Sequence, residues 1–345
     1  MSLTTTKEFQ RVSQMLSGLT LSIPVALMTA ERICEIEEGA QHHPELAELE
    51  KELQKKLTAV KFPEDHTVMA QAYEAYSEAS FWLEMANREV LLRRTPGTGQ
   101  MNQQRPDFVH EHASGNIYFE VKALEIADPI VRHKELAYEA LANAADLDER
   151  ARTPGVHFGK PLEVSGSLPD LDVVDRIAAT IDKITNNVKQ GQIYFGPTVL
   201  VIDLGRFNTM PYGPSSLLPV FFHDGPPAES CVTGELWQIG LGQVGEQIFS
   251  LPAFDGKSNI AGHQKRSGIL QEYKGLMAIT FVRPRWRQKP ELLTLWNKKF
   301  DQTVLTGKCA VDEPEVEALL YSYSDGLNDE TNELGWSYRV APLRE

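Results

Sequence analysis

The chain has 345 residues, 42% hydrophobic and 24% charged, with 34 Lys and Arg against 48 Asp and Glu, a formal net charge of −14. A core of normal size is available for one elaborated domain or two, which excludes wholesale disorder; the acid excess excludes a protein whose whole surface coats nucleic acid, but not an enzyme with a local basic groove. No apolar run reaches the ~18–20 residues needed to cross a bilayer. The polar start, Met1 to Gln14, lacks the apolar stretch of a secretion signal. Cys34, Cys231 and Cys309 make neither a CxxC pair nor a zinc spacing. A cytoplasmic protein without a membrane partner is expected.

Residues 1–60 read as helical. Leu46, Leu49, Leu53 and Leu57 recur at spacings of three and four after His43-Pro44 and form one apolar stripe. This N-terminal region, 1–62, reads as a helical cap or as an arm for a partner. After Pro63, the apolar positions Met69, Ala72, Tyr73, Tyr76, Ala79 and Leu83 predict a helix over 67–88. Val90-Leu91-Leu92 predicts a short strand, and Thr95 to Gln104, with Pro96, Gly97 and Gly99, a loop. The segment 106–110 and the strand Ile117 to Lys122, joined through Ala113-Ser114-Gly115-Asn116, predict a hairpin. On its second strand Tyr118, Glu120 and Lys122 share one face, because strand side chains alternate.

An Ala-rich helix is expected over 130–150 and a Gly/Pro/Ser loop over 153–169. A helix over 171–190 carries Ile177, Ile181, Ile184 and Val188 on one stripe. Thr198 to Asp203 is an almost continuous apolar strand, as for a strand buried on both sheet faces. Beyond 205, strands are expected at 217–223, 236–241 and 276–282, and a helix at 313–321. The order predicts an α/β sheet covered by helices on both faces.

The chemistry concentrates in Asp107 and Glu120-Val121-Lys122. Asp107 lies 13 residues before Glu120, so a tight hairpin returns it beside the second strand. Two carboxylates and an ammonium then converge at a sheet edge. Paired carboxylates with waters and phosphate oxygens are the hard ligands Mg²⁺ prefers, and a metal there can activate water against a phosphodiester. Lys122 can stabilise charge or orient the attacking water. The bland alternative is a surface cross-strand ion pair.

Arg105-Pro106-Asp107-Phe108 followed by Phe119-Glu120-Val121-Lys122 resembles the PD-(D/E)xK nuclease superfamily, over roughly 66–205 of the chain. The resemblance implies a restriction-endonuclease-like mixed β-sheet flanked by helices. The expected organisation is the N-terminal helical region, a nuclease-like core at 63–205 with an insertion at about 124–170, and a β-rich C-terminal extension, 206–345, packed on the core. It implies Asp107 and Glu120 as metal ligands, with Lys122 catalytic. Many members carry a glutamate on the first helix about a dozen residues before the first strand. Glu78, 12 residues before Val90, matches better than Glu84 or Glu74 and is implied as a further catalytic and metal residue. Some members place Gln or Lys on the later helix, which implies Gln190 among Lys189, Gln190 and Gln192. The implied activity is Mg²⁺-dependent hydrolysis of DNA, with Mn²⁺ able to substitute, as an endodeoxyribonuclease.

Arg94, Arg132, Lys134, Lys189, Arg285 and Arg287 are candidate contacts to nucleic acid, the last two within the basic-aromatic patch Arg283 to Lys289. Gly240 to Gly245 matches GxGxxG in letters but reads as a turn, since no amphipathic helix follows. Two competing readings remain from other classes. One is a non-catalytic nucleic-acid-binding scaffold that keeps the fold; the other is a helical interaction protein acting through residues 1–60. A homodimer or a partner subunit is open on each reading, the nuclease included.

Overall fold

The computed structural model describes residues 4–16, 28–62, 65–95, 105–112, 115–124, 172–206, 220–222, 230–232, 235–249, 260–285, 288–305, 311–327 and 337–338. The helix and loop expected over 130–169 lie outside the described residues. The chain divides into two compact units; among the described residues the first holds those up to Ser80 together with Arg206, and the second holds the rest.

The described part of the first unit is helical: α1 Thr4–Met15, α2 Ala30–Gly39, α3 Pro44–Ala59 and the start of α4, His66–Asn87. The leucine stripe of α3 is buried together with Phe9 and Val12 of α1 and Ile33 and Ile36 of α2. Polar groups complete the helix ends. The Glu37 carboxylate accepts from the Thr5 and Thr6 backbone N–H groups at 3.2 and 3.1 Å, an anion at the positive end of α1. Arg11 donates to the Leu57 and Val60 carbonyls at 3.0 Å, a cation at the negative end of α3.

The second unit holds a mixed sheet. Its strands are β1 Arg93–Arg94, β2 Phe108–Glu111, β3 Asn116–Ala123, β4 Thr198–Asp203, β9 Leu276–Arg285, β10 Gln288–Trp296, β11 Gly326–Leu327 and β12 Ser337–Tyr338, adjacent in that order. The pairs β1–β2 and β2–β3 are antiparallel, β3–β4 and β4–β9 parallel, and β9–β10 antiparallel. Two small hairpins, β5 Val220–Phe222 with β6 Ser230–Val232 and β7 Gln247–Phe249 with β8 Ile260–His263, stand apart from this sheet. The helices are the end of α4, α5 Val173–Asn187, α6 Gln190–Ile193, α7 Glu235–Leu241, α8 Ile269–Glu272 and α9 Glu313–Tyr323.

Directly opposed residues share a sheet face, so the registers sort the core. Phe119, Val199, Val201, Thr280 and Thr294 fall on one face. There Phe81 of α4 and Tyr323 of α9 each meet the Phe119 ring at 6.0 Å between centroids, and the buried Thr280 hydroxyl bonds both Thr294 and Tyr323 at 2.9 and 3.1 Å. Glu120, Lys122, Leu200, Ile202, Ile279, Phe281 and Leu295 fall on the other. Gly240 of α7 packs there so closely that a Cβ would overlap Leu295. Helices therefore cover both faces, as the element order predicts.

Three expectations change. The first strand is Arg93–Arg94, three residues later than expected, because Val90 and Leu92 are drawn inward while Leu91 is exposed. Trp82 fixes the segment by donating to the Leu92 carbonyl at 2.8 Å. Residues 235–241 form a helix, not a strand: a seven-residue apolar run does not by itself distinguish the two, and packing on Leu295 and Ile279 decides. Strand β10 was not expected, and it makes the longest antiparallel ladder with β9. Strands β9 to β12 lie in one sheet with β1 to β4, since β9 lies directly beside β4.

Helix α4 ends with Glu89 in the left-handed region (φ 64°). The preceding Arg88 bonds the buried Glu84 at 3.0 Å and Asp325 at 2.9 Å, and it also donates to the Tyr323 carbonyl. Arg88→Ala is expected to cost about 3–5 kcal/mol, because it strands a buried carboxylate. The double variant Glu84→Gln/Arg88→Met is expected to recover most of that loss. Urea unfolding of the three proteins checks this; equal losses in the single and double variants would refute it.

Candidate functional site

Asp107 immediately precedes β2, and β2 pairs with β3 in the register Phe108↔Phe119. This register places Asp107 opposite Glu120. Its Oδ2 accepts from the Val121 backbone N–H at 2.8 Å, and its carbonyl accepts from the Thr95 N–H at 3.0 Å. The carboxylate is thereby anchored to β3 and the backbone to the chain leaving β1.

Glu120 is fully buried and ion-paired with Lys122, whose side chain retains 21% exposure. Burial and the neighbouring Asp107 carboxylate push Glu120 up to about 8, against the pull of Lys122. Burial also raises Asp107 above the usual carboxylate range, opposed by the Val121 N–H and the charges of Lys122 and Arg94. The arrangement holds two mutually repelling carboxylates in a partly dry place beside one cation.

Such a pair fits a divalent cation. Its donors are hard oxygens, and Glu120 Oε2 has no hydrogen-bond partner of its own. Among the described residues no group of three His, Cys, Asp or Glu could hold a metal ion. A cation here would therefore draw the rest of its shell from water and substrate, the usual arrangement for Mg²⁺.

The structure brings together Asp107, Glu120 and Lys122, with Arg94 on the neighbouring β1. Glu78 lies on α4 within the first compact unit. Glu84 is held by Arg88. Gln190 is exposed at the start of α6, ahead of the end of β4 that pairs with Tyr118. Gln192 is structural, its side chain accepting from the Lys189 N–H at 3.2 Å. Lys189 is exposed. Arg132, Lys134 and Arg287, and the side chain of Arg285, lie outside the described residues.

Arg105 was not expected near the site. It lies over the Phe195 ring at 4.8 Å from the centroid, and Phe195 meets Tyr118 edge-on at 5.0 Å. Tyr118 shares the strand face of Glu120. The signal was available in Arg105-Pro106-Asp107, but its ring partner Phe195 lies 90 residues further along the chain and cannot be read locally. In GxGxxG, Gly240 ends within α7 and Gly245 takes φ 91° in a turn, so the motif opens no phosphate-binding helix.

Comparison with family models, with curated proteins and with solved structures finds no match.

Proposed function

We propose that this chain is a Mg²⁺-dependent nuclease of restriction-endonuclease-like fold that hydrolyses phosphodiester bonds of DNA, with Mn²⁺ able to substitute. The observation that carries the reading is the pairing of Asp107 with Glu120 across two strands, with Lys122 two residues on and on the same face. The order of helix, three antiparallel strands, helix and parallel strand around that pair agrees with the superfamily core.

Asp107 and Glu120 would hold the cation, which when bound supplies Lewis-acid polarisation of a phosphoryl oxygen and a more acidic water. The Val121 N–H keeps Asp107 turned toward β3. Lys122 neutralises the carboxylate pair in the resting protein. With phosphate present, its ammonium is close enough to Glu120 to stabilise charge developing on the phosphoryl oxygens or to orient the attacking water. Arg94 and Lys189 are the described candidates for contacts to the DNA backbone.

The test is cleavage of supercoiled plasmid by the purified chain in Mg²⁺ and in EDTA, with Asp107→Asn beside it. Nicking that requires Mg²⁺ and is lost in Asp107→Asn is expected. Metal-independent nicking, or nicking equal in the variant, would refute the assignment. DNA binding without cleavage would favour the scaffold reading.

A further inference from the structure

We propose that the buried Arg283–Glu291 pair forms a second phosphate-recognition point on the sheet face that carries Glu120 and Lys122; its assignment to a nucleic-acid phosphate rests on the nuclease reading above. Arg283 of β9 and Glu291 of β10 are directly opposed in the ladder and ion-paired, at 5% and 6% exposure. Arg283 Nη2 faces the Glu291 carboxylate, while Arg283 Nε and Nη1 have no hydrogen-bond partner. Buried N–H donors are nearly always partnered by protein, water or a ligand. A guanidinium gripped on one nitrogen by a carboxylate, with its other donors unused, is positioned to receive an oxyanion.

The registers locate it. Lys122 is opposite Ile202, and Ile202 is opposite Phe281. Arg283 lies two residues beyond Phe281 and so shares its face. It stands two strands across from Lys122 and one side-chain row toward the carboxyl ends of the parallel strands β3, β4 and β9. Ligands of open α/β sheets collect at those ends. Strand spacing and rise put the two Cα positions about 12 Å apart. Arg283 is tied toward Glu291 on β10 and Lys122 toward Glu120 on β3, so the two cations face separate points and Arg283 would take a phosphate neighbouring the scissile one.

The probe is inorganic phosphate, titrated against wild type, Glu291→Gln and the double variant Arg283→Met/Glu291→Met, by thermal shift at constant ionic strength. Replacing a buried ion pair by apolar residues of similar size commonly preserves folding. The double variant is expected to lose about tenfold or more in phosphate affinity, and Glu291→Gln, which removes the competing charge, to bind more tightly than wild type. Arg283→Lys serves if the double variant does not fold, and is expected to weaken binding because the planar set of donors is lost. Equal phosphate responses in all the folded proteins, or no response in wild type, would overturn the inference. Plasmid cleavage in Mg²⁺ is read separately. Arg283-dependent phosphate binding without cleavage keeps this point and discards the nuclease; cleavage with Arg283-independent binding discards this point alone.

Discussion

Lys122→Ala is expected to lower the single-turnover rate of Mg²⁺-dependent DNA cleavage by about 10²–10⁴-fold, the range typical of a lost proton-transfer or charge-stabilising group. Lys122 is the cation paired with Glu120. Removing it leaves the Asp107–Glu120 pair more electronegative, so Mg²⁺ affinity should hold or rise while the rate falls. That split separates a role in the chemistry from a role in holding the metal. Lys122→Arg should recover little, because a planar fork does not replace a compact ammonium. The measurement is cleavage at saturating Mg²⁺, with Mg²⁺ affinity followed by thermal shift. A cleavage rate within a factor of a few of wild type in Lys122→Ala would remove Lys122 from the proposed machinery.

Glu120→Gln is expected to change the pH dependence of stability more than any other single substitution at the site. A glutamate ordinarily titrates near 4.5, and in the fold Glu120 does so at about 8. Between those values the folded protein holds a proton that the unfolded chain has released. The stability linked to Glu120 is therefore fully present below the ordinary value and lost as pH rises through the raised one. Asp107 shifts in the same direction and adds to the slope. In EDTA, wild type should lose up to a few kcal/mol between mildly acidic and mildly alkaline pH, and Glu120→Gln should show a flatter profile. Mg²⁺ at alkaline pH should restore the wild type by binding the folded state, and leave Glu120→Gln nearly unmoved. Urea unfolding at three pH values, with and without Mg²⁺, measures this. A wild-type profile as flat as the variant's would mean that Glu120 is not held as a raised carboxyl.

What the sequence determined by itself was local. Leucines at spacings of three and four specify α3 because a helix turns every 3.6 residues. Alternation over Ile117 to Lys122 specifies which side chains of β3 travel together, and the Gly115-Asn116 turn brings Asp107 back beside Glu120. The Asp107, Glu120 and Lys122 arrangement was legible for that reason: all its members lie within one hairpin. Tertiary structure decided what depends on distant partners. Residues 235–241 are helical because Leu295 and Ile279 offer a surface for Gly240. Glu84 is a structural ion-pair residue because Arg88 also reaches Asp325, more than two hundred residues away. Arg283 is paired with Glu291 because the β9–β10 register sets them opposite one another. Registers between strands are fixed by which faces must be buried, and that is a property of the assembled sheet rather than of any one segment.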